Sequence, residues 1–326
     1  GWWRFKMISQ DYKAIAFDES GQDGGHRVGN FRNYYKFHQV SERINLIPVD
    51  AFDTLLASKT ASLLVCDIGC NEGDLTKAFK ERLERICIER DKKDLNTEIF
   101  GVDIDPELVC RAQKKFGATG KKSSCHSPEA LSDCKRDEHS SPLKDSHQHV
   151  LTQAQSTEEC RDPEPCASAR SRSPSPPSAT AAAGGGGGGG LSFAVADLCH
   201  PGDRTLEDYL AQRGRKRFDI ITCFSVTMWI HLNTGDEGLQ FFLRRLAALC
   251  RVLVLEPQPW KCYRNAGQRL RRLKLPSPAH LGTIEMRHNV IENIVEFLTL
   301  PDFQLFHSSR LLGKTAWGRP LHMFCK

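Results

Sequence analysis

The segment Asp67-Ile68-Gly69-Cys70-Asn71-Glu72-Gly73-Asp74 closes a short apolar run and combines two glycines with amide and acidic side chains. Glycine lets a backbone turn tightly and approach a ligand closely. A second apolar run ends in Asp103, where a carboxylate can accept both hydrogen bonds of a ribose diol. A third ends in Asp197-Leu198, where a carboxylate can face an adenine amino group. Turn, ribose acid and adenine acid together describe a nucleotide site. A dinucleotide fits poorly, because Asn71 stands where the second glycine of G-x-G-x-x-G belongs and the next glycine comes one residue early. The interval from Gly69 to Asp103 also exceeds the ~20 residues of that fingerprint. A nucleotide cofactor without a pyrophosphate, such as S-adenosylmethionine, tolerates both departures. For the glycines alone, an ordinary tight turn between strand and helix is the plainer alternative.

These residues need strand ends to hold them. Leu63 to Ile68 reads as a buried strand and Asp74 as the cap of a helix running to about Arg90. Glu98 to Asp103 is a second strand, followed by a helix opening at Pro106, with Asp105 as its cap. Phe193 to Asp197, Phe218 to Phe224 and Val252 to Glu256 are further strands, and Glu237 to Leu249 is an amphipathic helix. Such alternation predicts a doubly wound, mostly parallel sheet. Ligands of these sheets bind at the carboxyl ends of the strands, where the acids and glycines fall.

The chain has 326 residues, 40% hydrophobic and 26% charged, with 45 Lys+Arg against 40 Asp+Glu for a net charge of +5. This composition excludes a collagen-like, coiled-coil or wholly disordered chain. No apolar run approaches the ~18 residues of a membrane span. The opening residues Gly1 to Lys6 lack the apolar core of a secretory signal. The 13 cysteines are scattered and form no CxxC, so a reducing, cytoplasmic setting is expected. Cys160/Cys166 and His147/His149 lack metal-ligand spacing, and no metal is expected. Residues 1–28 read as a flexible leader and 29–326 as one domain, interrupted by a low-complexity insertion at 117–190 that ends in seven glycines, Gly184 to Gly190. The insertion offers too little apolar surface to offset its ordering entropy. It reads as an inert surface loop, with phosphorylation near Ser171 to Ser175 as the regulatory alternative.

Three blocks carry a resemblance: Gly29-Asn30-Phe31-Arg32-Asn33-Tyr34-Tyr35-Lys36-Phe37-His38, Ser225-Val226-Thr227-Met228-Trp229-Ile230-His231-Leu232-Asn233, and Val254-Leu255-Glu256-Pro257-Gln258-Pro259-Trp260-Lys261-Cys262-Tyr263-Arg264. With the glycine turn and Asp103, they resemble the Bicoid-interacting-protein family of RNA 5′-phosphate methyltransferases, over residues 29–116 and 193–326. The resemblance implies a class I S-adenosylmethionine-dependent methyltransferase, a Rossmann-like fold on a mostly parallel seven-stranded sheet. It implies that Arg43 meets the methionine carboxylate, Gly69 and Asn71 line the turn, Asp103 holds the ribose, Asp197 and Leu198 flank the adenine, and Phe224 contributes from its backbone. A solvated helix-face arginine is the bland reading of Arg43. Within the family, Met228 to His231 and Trp260 to Arg264 look most like the branch that methylates an RNA 5′-monophosphate, on histidine tRNA or precursor microRNA. The branch that caps the γ-phosphate of a small nuclear RNA is the runner-up. The implied partner is RNA with a 5′-phosphorylated end, met by a monomer away from membranes.

That reaction needs no general base. A phosphate monoester has a second pKa of about 6 and is largely a dianion near pH 7. Unit opposite charges at ~4 Å attract by about 4 kcal/mol at an effective dielectric of ~20, so a sulfonium donor favours the anion. Alignment is the remaining task. His38 and His231 therefore read as packing or hydrogen-bonding groups, and no catalytic residue is assigned. Tyr34, Lys36, Lys261 and Tyr263 are the candidate phosphate donors, and Trp260 could stack on the terminal base. Arg264, Arg269, Arg271, Arg272 and Lys274 could track RNA phosphates, whereas Arg213, Arg215, Lys216 and Arg217 read as a solvated face. The block Gly313 to Leu321 resembles the family's C-terminal signature and is expected to form the last antiparallel pair, with Trp317 structural. Two other classes stay in view. A nicotinamide oxidoreductase is opposed by the glycine spacing and by the lack of Tyr-x-x-x-Lys. A non-catalytic RNA-binding module is opposed by the intact Asn71, Asp103 and Trp260 block.

Overall fold

A computed structural model describes residue 29 and residues 34–59, 61–117 and 190–326, with the backbone alone for Lys36 and Phe37. The expected leader, residues 1–28, and all of the expected insertion except its two end residues lie outside the described residues.

Short helices α1 (Tyr34–Phe37), α2 (Val40–Ile44) and α3 (Asp53–Ala57) lead into strand β1 (Ser62–Ile68). Then follow α4 (Asp74–Glu89), β2 (Asn96–Asp103), α5 (Pro106–Phe116), β3 (Leu191–Val195), α6 (Thr205–Gln212), β4 (Phe218–Phe224), α7 (Thr227–Leu249) and β5 (Cys250–Glu256). The chain ends with α8 (Trp260–Arg272), α9 (Val290–Thr299), β6 (Ser308–Lys314) and β7 (Pro320–Cys325). One seven-stranded sheet has the order β3-β2-β1-β4-β5-β7-β6. Its first five strands are mutually parallel, and β7 runs antiparallel to both β5 and β6. This is the mostly parallel, Rossmann-like sheet that the resemblance implied, with the C-terminal block forming the antiparallel pair.

The strands read as unbroken apolar runs because both faces are covered. In β1, Leu64, Cys66 and Ile68 enter one core with α6, α7 and α9, while Leu63 and Val65 enter the other with α2, α3 and α4. Strand β5 divides the same way, with Leu253 and Leu255 on one side and Val252 and Val254 on the other. Helix α4 presents Leu75, Phe79, Leu83 and Ile86 to the second core, the three-and-four spacing of an amphipathic helix.

Three local expectations need correction. Asp74 does not cap α4: Gly73, at φ 84°, holds that position, and the Asp74 carboxylate instead pairs with Lys115. Strand β3 stops at Val195, so Asp197 lies in the loop beyond its end. Helix α7 starts ten residues before Glu237, at Thr227, and bends at Gly235, whose φ of 70° no helix contains. Asp105 does cap α5, accepting from the backbone N–H of Glu107 and Leu108, with Pro106 in the first helical turn. No described helix is long and apolar enough to cross a membrane.

Candidate active site

The carboxyl ends of β1, β2, β4 and β5 open onto a cavity of about 530 Å³. That is an ordinary size for a cofactor site. Arg43, Gly69, Asn71, Asp103, Asp197, Leu198 and Phe224 all line it. The glycine turn is built for closeness. At Gly69, φ is 74° and a Cβ would stand 2.4 Å from Val226 Cγ2. Asn71 is also left-handed, at φ 52°, a region asparagine tolerates better than most residues. Its backbone N–H donates to Asp103 Oδ2 at 2.9 Å, and Asp105 N–H donates to Oδ1 at 3.0 Å. The turn and the ribose acid therefore set each other's position. Asp197 accepts from Cys199 N–H at 3.0 Å, and burial raises its pKa.

Behind the turn, Asp67 is buried at 2% exposure and accepts from Thr76 and Thr222 hydroxyls, both at 2.6 Å. Burial outweighs those bonds and pushes its pKa up to about 6. A raised carboxyl favours folding most below its unfolded pKa of about 4, and that contribution is lost as pH rises through the folded value. Wild-type stability should therefore fall relative to Asp67→Asn between pH 4 and 6.5, by on the order of 2 kcal/mol. Urea unfolding of both proteins across that range measures it, and parallel curves would refute the shift.

The opposite wall is a polar cluster that sequence reasoning saw only in part. Arg43 is fully buried, so the solvated-arginine reading is excluded. Its Nε donates to Glu256 Oε2 at 2.8 Å, and its Nη2 donates to Tyr34 Oη at 2.8 Å and Ser225 Oγ at 3.0 Å. Burial works against its charge, but Glu256 and Tyr34 prevail and its pKa is raised. Arg43 Nη1 is buried with no hydrogen-bond partner among the described residues. Ser225 Oγ donates to Glu256 Oε2 at 2.6 Å, and Trp317 Nε1 donates to Oε1 at 3.1 Å. Ser225 sits at φ 62°, a strained backbone for serine. Gln258 holds it there, donating to the Ser225 carbonyl at 2.6 Å while its own Oε1 accepts from Thr227 Oγ1 and Met228 N–H. Arg319, just before β7, donates to Ser225 Oγ at 2.7 Å and lines the cavity. His38 stacks on Tyr34 at 4.8 Å. Partial burial and the nearby Arg319 and Arg43 guanidiniums push its pKa down to about 4, so it is neutral near pH 7.

Among the expected acceptor-side residues, Tyr34 lines the cavity. The Lys36 side chain lies outside the described residues. Three others do not reach the cavity. Tyr263 is fully buried, and its hydroxyl pairs with His231 Nδ1 at 3.0 Å. His231 Nε2 faces Asp236 at 2.9 Å, so Tyr263 and His231 form a core network with no route to a phosphate. Trp260 packs against Tyr263, ring centroids 5.0 Å apart, and belongs to the core margin. Lys261 is exposed on the outer side of α8. Helical geometry explains all three. Turning into α8 at Trp260 sends Cys262, Asn265, Ala266 and Arg269 towards the cavity instead. Trp229 is 9% exposed and forms cavity wall as well as core. Arg213 and Arg215 pair with Glu98 and Asp219, at the amino ends of the strands away from the cavity.

Sequence reasoning missed Ser225, Glu256 and Gln258 as site residues, although each lies inside a quoted block. An acid closing the apolar run Val252 to Leu255 was a readable signal for Glu256. Arg319 lies in the block read as the C-terminal signature, where only Trp317 was singled out.

Comparisons with known proteins agree on one family. The model of the Bicoid-interacting protein 3 family matches residues 218–326. A pre-miRNA 5′-monophosphate methyltransferase of Xenopus laevis is 31% identical over 308 residues, covering 92% of this chain and 92% of that protein. An RNA 5′-monophosphate methyltransferase of Homo sapiens is 30% identical, covering 92% of this chain and 81% of that protein. A 7SK snRNA methylphosphate capping enzyme of Mus musculus is 33% identical over 126 residues, 36% of this chain and 18% of that protein.

Proposed function

The chain belongs to the Bicoid-interacting protein 3 family, and from that premise we propose that it transfers a methyl group from S-adenosylmethionine to the 5′-monophosphate of RNA. The observation that carries the reading is the convergence of Arg43, Gly69, Asn71, Asp103, Asp197, Leu198 and Phe224 on one cavity, although they come from far-separated parts of the chain.

The residues present fit that donor. The buried, unmet Nη1 of Arg43 suits a carboxylate, and a cation there is already positioned by Glu256. The Gly69 turn lines the cavity with bare backbone, and a Cβ there would collide with Val226. Asp103, fixed by two backbone N–H groups, suits a ribose diol. When bound, S-adenosylmethionine supplies an electrophilic methyl group on a sulfonium. The protein's own contribution is position. Gln258 and Glu256 hold Ser225, which in turn orients Arg43 and Arg319. Phe224, Met228 and Trp229 give the cavity apolar walls. No group needs to take a proton, because the acceptor oxygen is already ionised near pH 7. His38, neutral there, has no acid–base duty to perform.

The finer reading is that the RNA is a tRNA such as histidine tRNA or a precursor microRNA, met in the cytoplasm by a monomer. The activity for which the Xenopus laevis relative is named supports the microRNA part. The γ-phosphate alternative rests on a relative matched over only 36% of this chain. Methyl transfer from labelled donor to matched RNAs ending in hydroxyl, monophosphate or triphosphate tests the proposal. The monophosphate RNA should be labelled and the hydroxyl RNA should not. Mass spectrometry placing the methyl on a base or sugar, or finding none, would overturn it.

A further inference from the structure

Arg269 and Arg319 are the arginines of the cavity wall besides Arg43, and the donor-binding residues give Arg319 no task. We propose that Arg319 binds the 5′-phosphate of the RNA acceptor and so sets the requirement for a phosphorylated end, an inference that rests on the methyl-transfer reading above.

Position is the first argument. Along the sheet, Asp197 follows β3, Asp103 ends β2, the Gly69 turn follows β1, Ser225 follows β4 and Arg319 precedes β7. Residues suited to adenine and ribose therefore occupy the β3 to β1 side, and Arg43, suited to the methionine carboxylate, meets Arg319 at Ser225. Arg319 stands beyond Ser225, on the side left for the acceptor. Charge is the second argument. Arg43 is neutralised by buried Glu256, but no described carboxylate lies within ion-pair range of Arg319. An uncompensated guanidinium facing a cavity calls for an anionic ligand. The third is its hydrogen bonding. Nη1 donates to Ser225 Oγ and lies 3.5 Å from Tyr34 Oη, while Nε is buried with no partner among the described residues. A buried donor left unmet costs free energy that a ligand oxygen would recover. The planar fork of arginine suits phosphate, which can take two of its N–H groups at once.

The side chain is also pre-positioned. Arg319 N–H donates to Thr315 Oγ1 at 3.0 Å, and its carbonyl accepts from Thr315 N–H at 2.9 Å. Both backbone polar groups are thus tied into the turn between β6 and β7. Arg319 lies 276 residues after Arg43 in sequence (319 − 43), yet both meet at Ser225 Oγ.

The test compares the whole chain with its Arg319→Gln and Arg319→Lys variants. Binding of RNA ending in 5′-monophosphate is measured beside the same RNA ending in 5′-hydroxyl, and S-adenosylmethionine affinity is measured separately. Wild type should prefer the phosphorylated RNA. Arg319→Gln should lose that preference by about 10- to 100-fold, in KM more than kcat, as expected for a charged hydrogen bond. Hydroxyl-RNA binding and donor affinity should stay within ~threefold of wild type, because neither involves the acceptor phosphate. Arg319→Lys should recover part of the preference, since it keeps the charge and loses the fork. An undiminished preference in Arg319→Gln would overturn the assignment. So would an equal loss of donor affinity, which would give Arg319 to the methionine carboxylate. If the Gln variant fails to fold, wild-type preference in Arg319→Lys would overturn it instead. A wild-type protein blind to the 5′-phosphate would remove the reaction reading itself, a separate failure visible before any variant is made.

Discussion

Arg43→Met is expected to cost about 3–5 kcal/mol of folding stability and to abolish donor binding. The size follows from what the substitution leaves behind. Arg43 and Glu256 are both fully buried and joined at 2.8 Å. Without the guanidinium, Glu256 keeps, among the described residues, the Ser225 hydroxyl and the Trp317 indole as donors. A buried carboxylate with neutral partners alone is poorly compensated. In a domain this large the loss corresponds to a fall of about 10 °C in Tm. Equilibrium unfolding in urea gives the free energy, and calorimetric titration of S-adenosylmethionine gives the affinity. The double variant Arg43→Met/Glu256→Gln should regain most of the stability, because it removes the stranded charge, while donor binding stays lost. A single variant within ~1 kcal/mol of wild type would show that the pair carries little weight.

Asp103→Ala should act on binding and spare the fold. The ribose diol offers two hydroxyls to one carboxylate, and hydrogen bonds to a charged group contribute about 1.5–3 kcal/mol each. Losing both should weaken donor affinity by at least ~100-fold. The stability cost should be about 1–2 kcal/mol, because the Asn71 and Asp105 N–H groups lose an acceptor near a cavity that water can enter. Titration calorimetry beside a thermal melt separates the two effects. Unchanged affinity would remove Asp103 from the ribose and undo the orientation of the donor. The contrast with Arg43 is informative: one residue holds the cavity wall together, and the other faces what enters it.

Legibility differed sharply between the two halves of the site. Much of the donor half was readable because the Gly69 turn, Asp103 and Phe224 stand at strand ends. An apolar run followed by Gly69 and Asn71, or by Asp103, announces its own geometry, since parallel strands deliver their carboxyl ends to one edge. The acceptor half was misread at α8. Trp260, Lys261 and Tyr263 were the conspicuous residues of their block, but type alone does not say which way a helix faces. The rotation of α8 buries Tyr263 and exposes Lys261. The less conspicuous Asn265 and Arg269 line the cavity in their place.

The alternation of strands and helices, the mostly parallel sheet and the placing of glycines and acids at strand ends were determined by the chain's own periodicity and punctuation, because those are local properties that short-range sterics and burial enforce. The wall that joins Arg43, Ser225, Glu256 and Arg319 was decided only by tertiary structure. Its members come from α2, the end of β4, the end of β5 and the turn before β7, and no local pattern relates them. They meet because β7 inserts antiparallel between β5 and β6, which carries Arg319 to the cavity edge of the sheet. Hydrogen bonding and charge balance at that meeting point depend on distances in space that sequence separation does not encode.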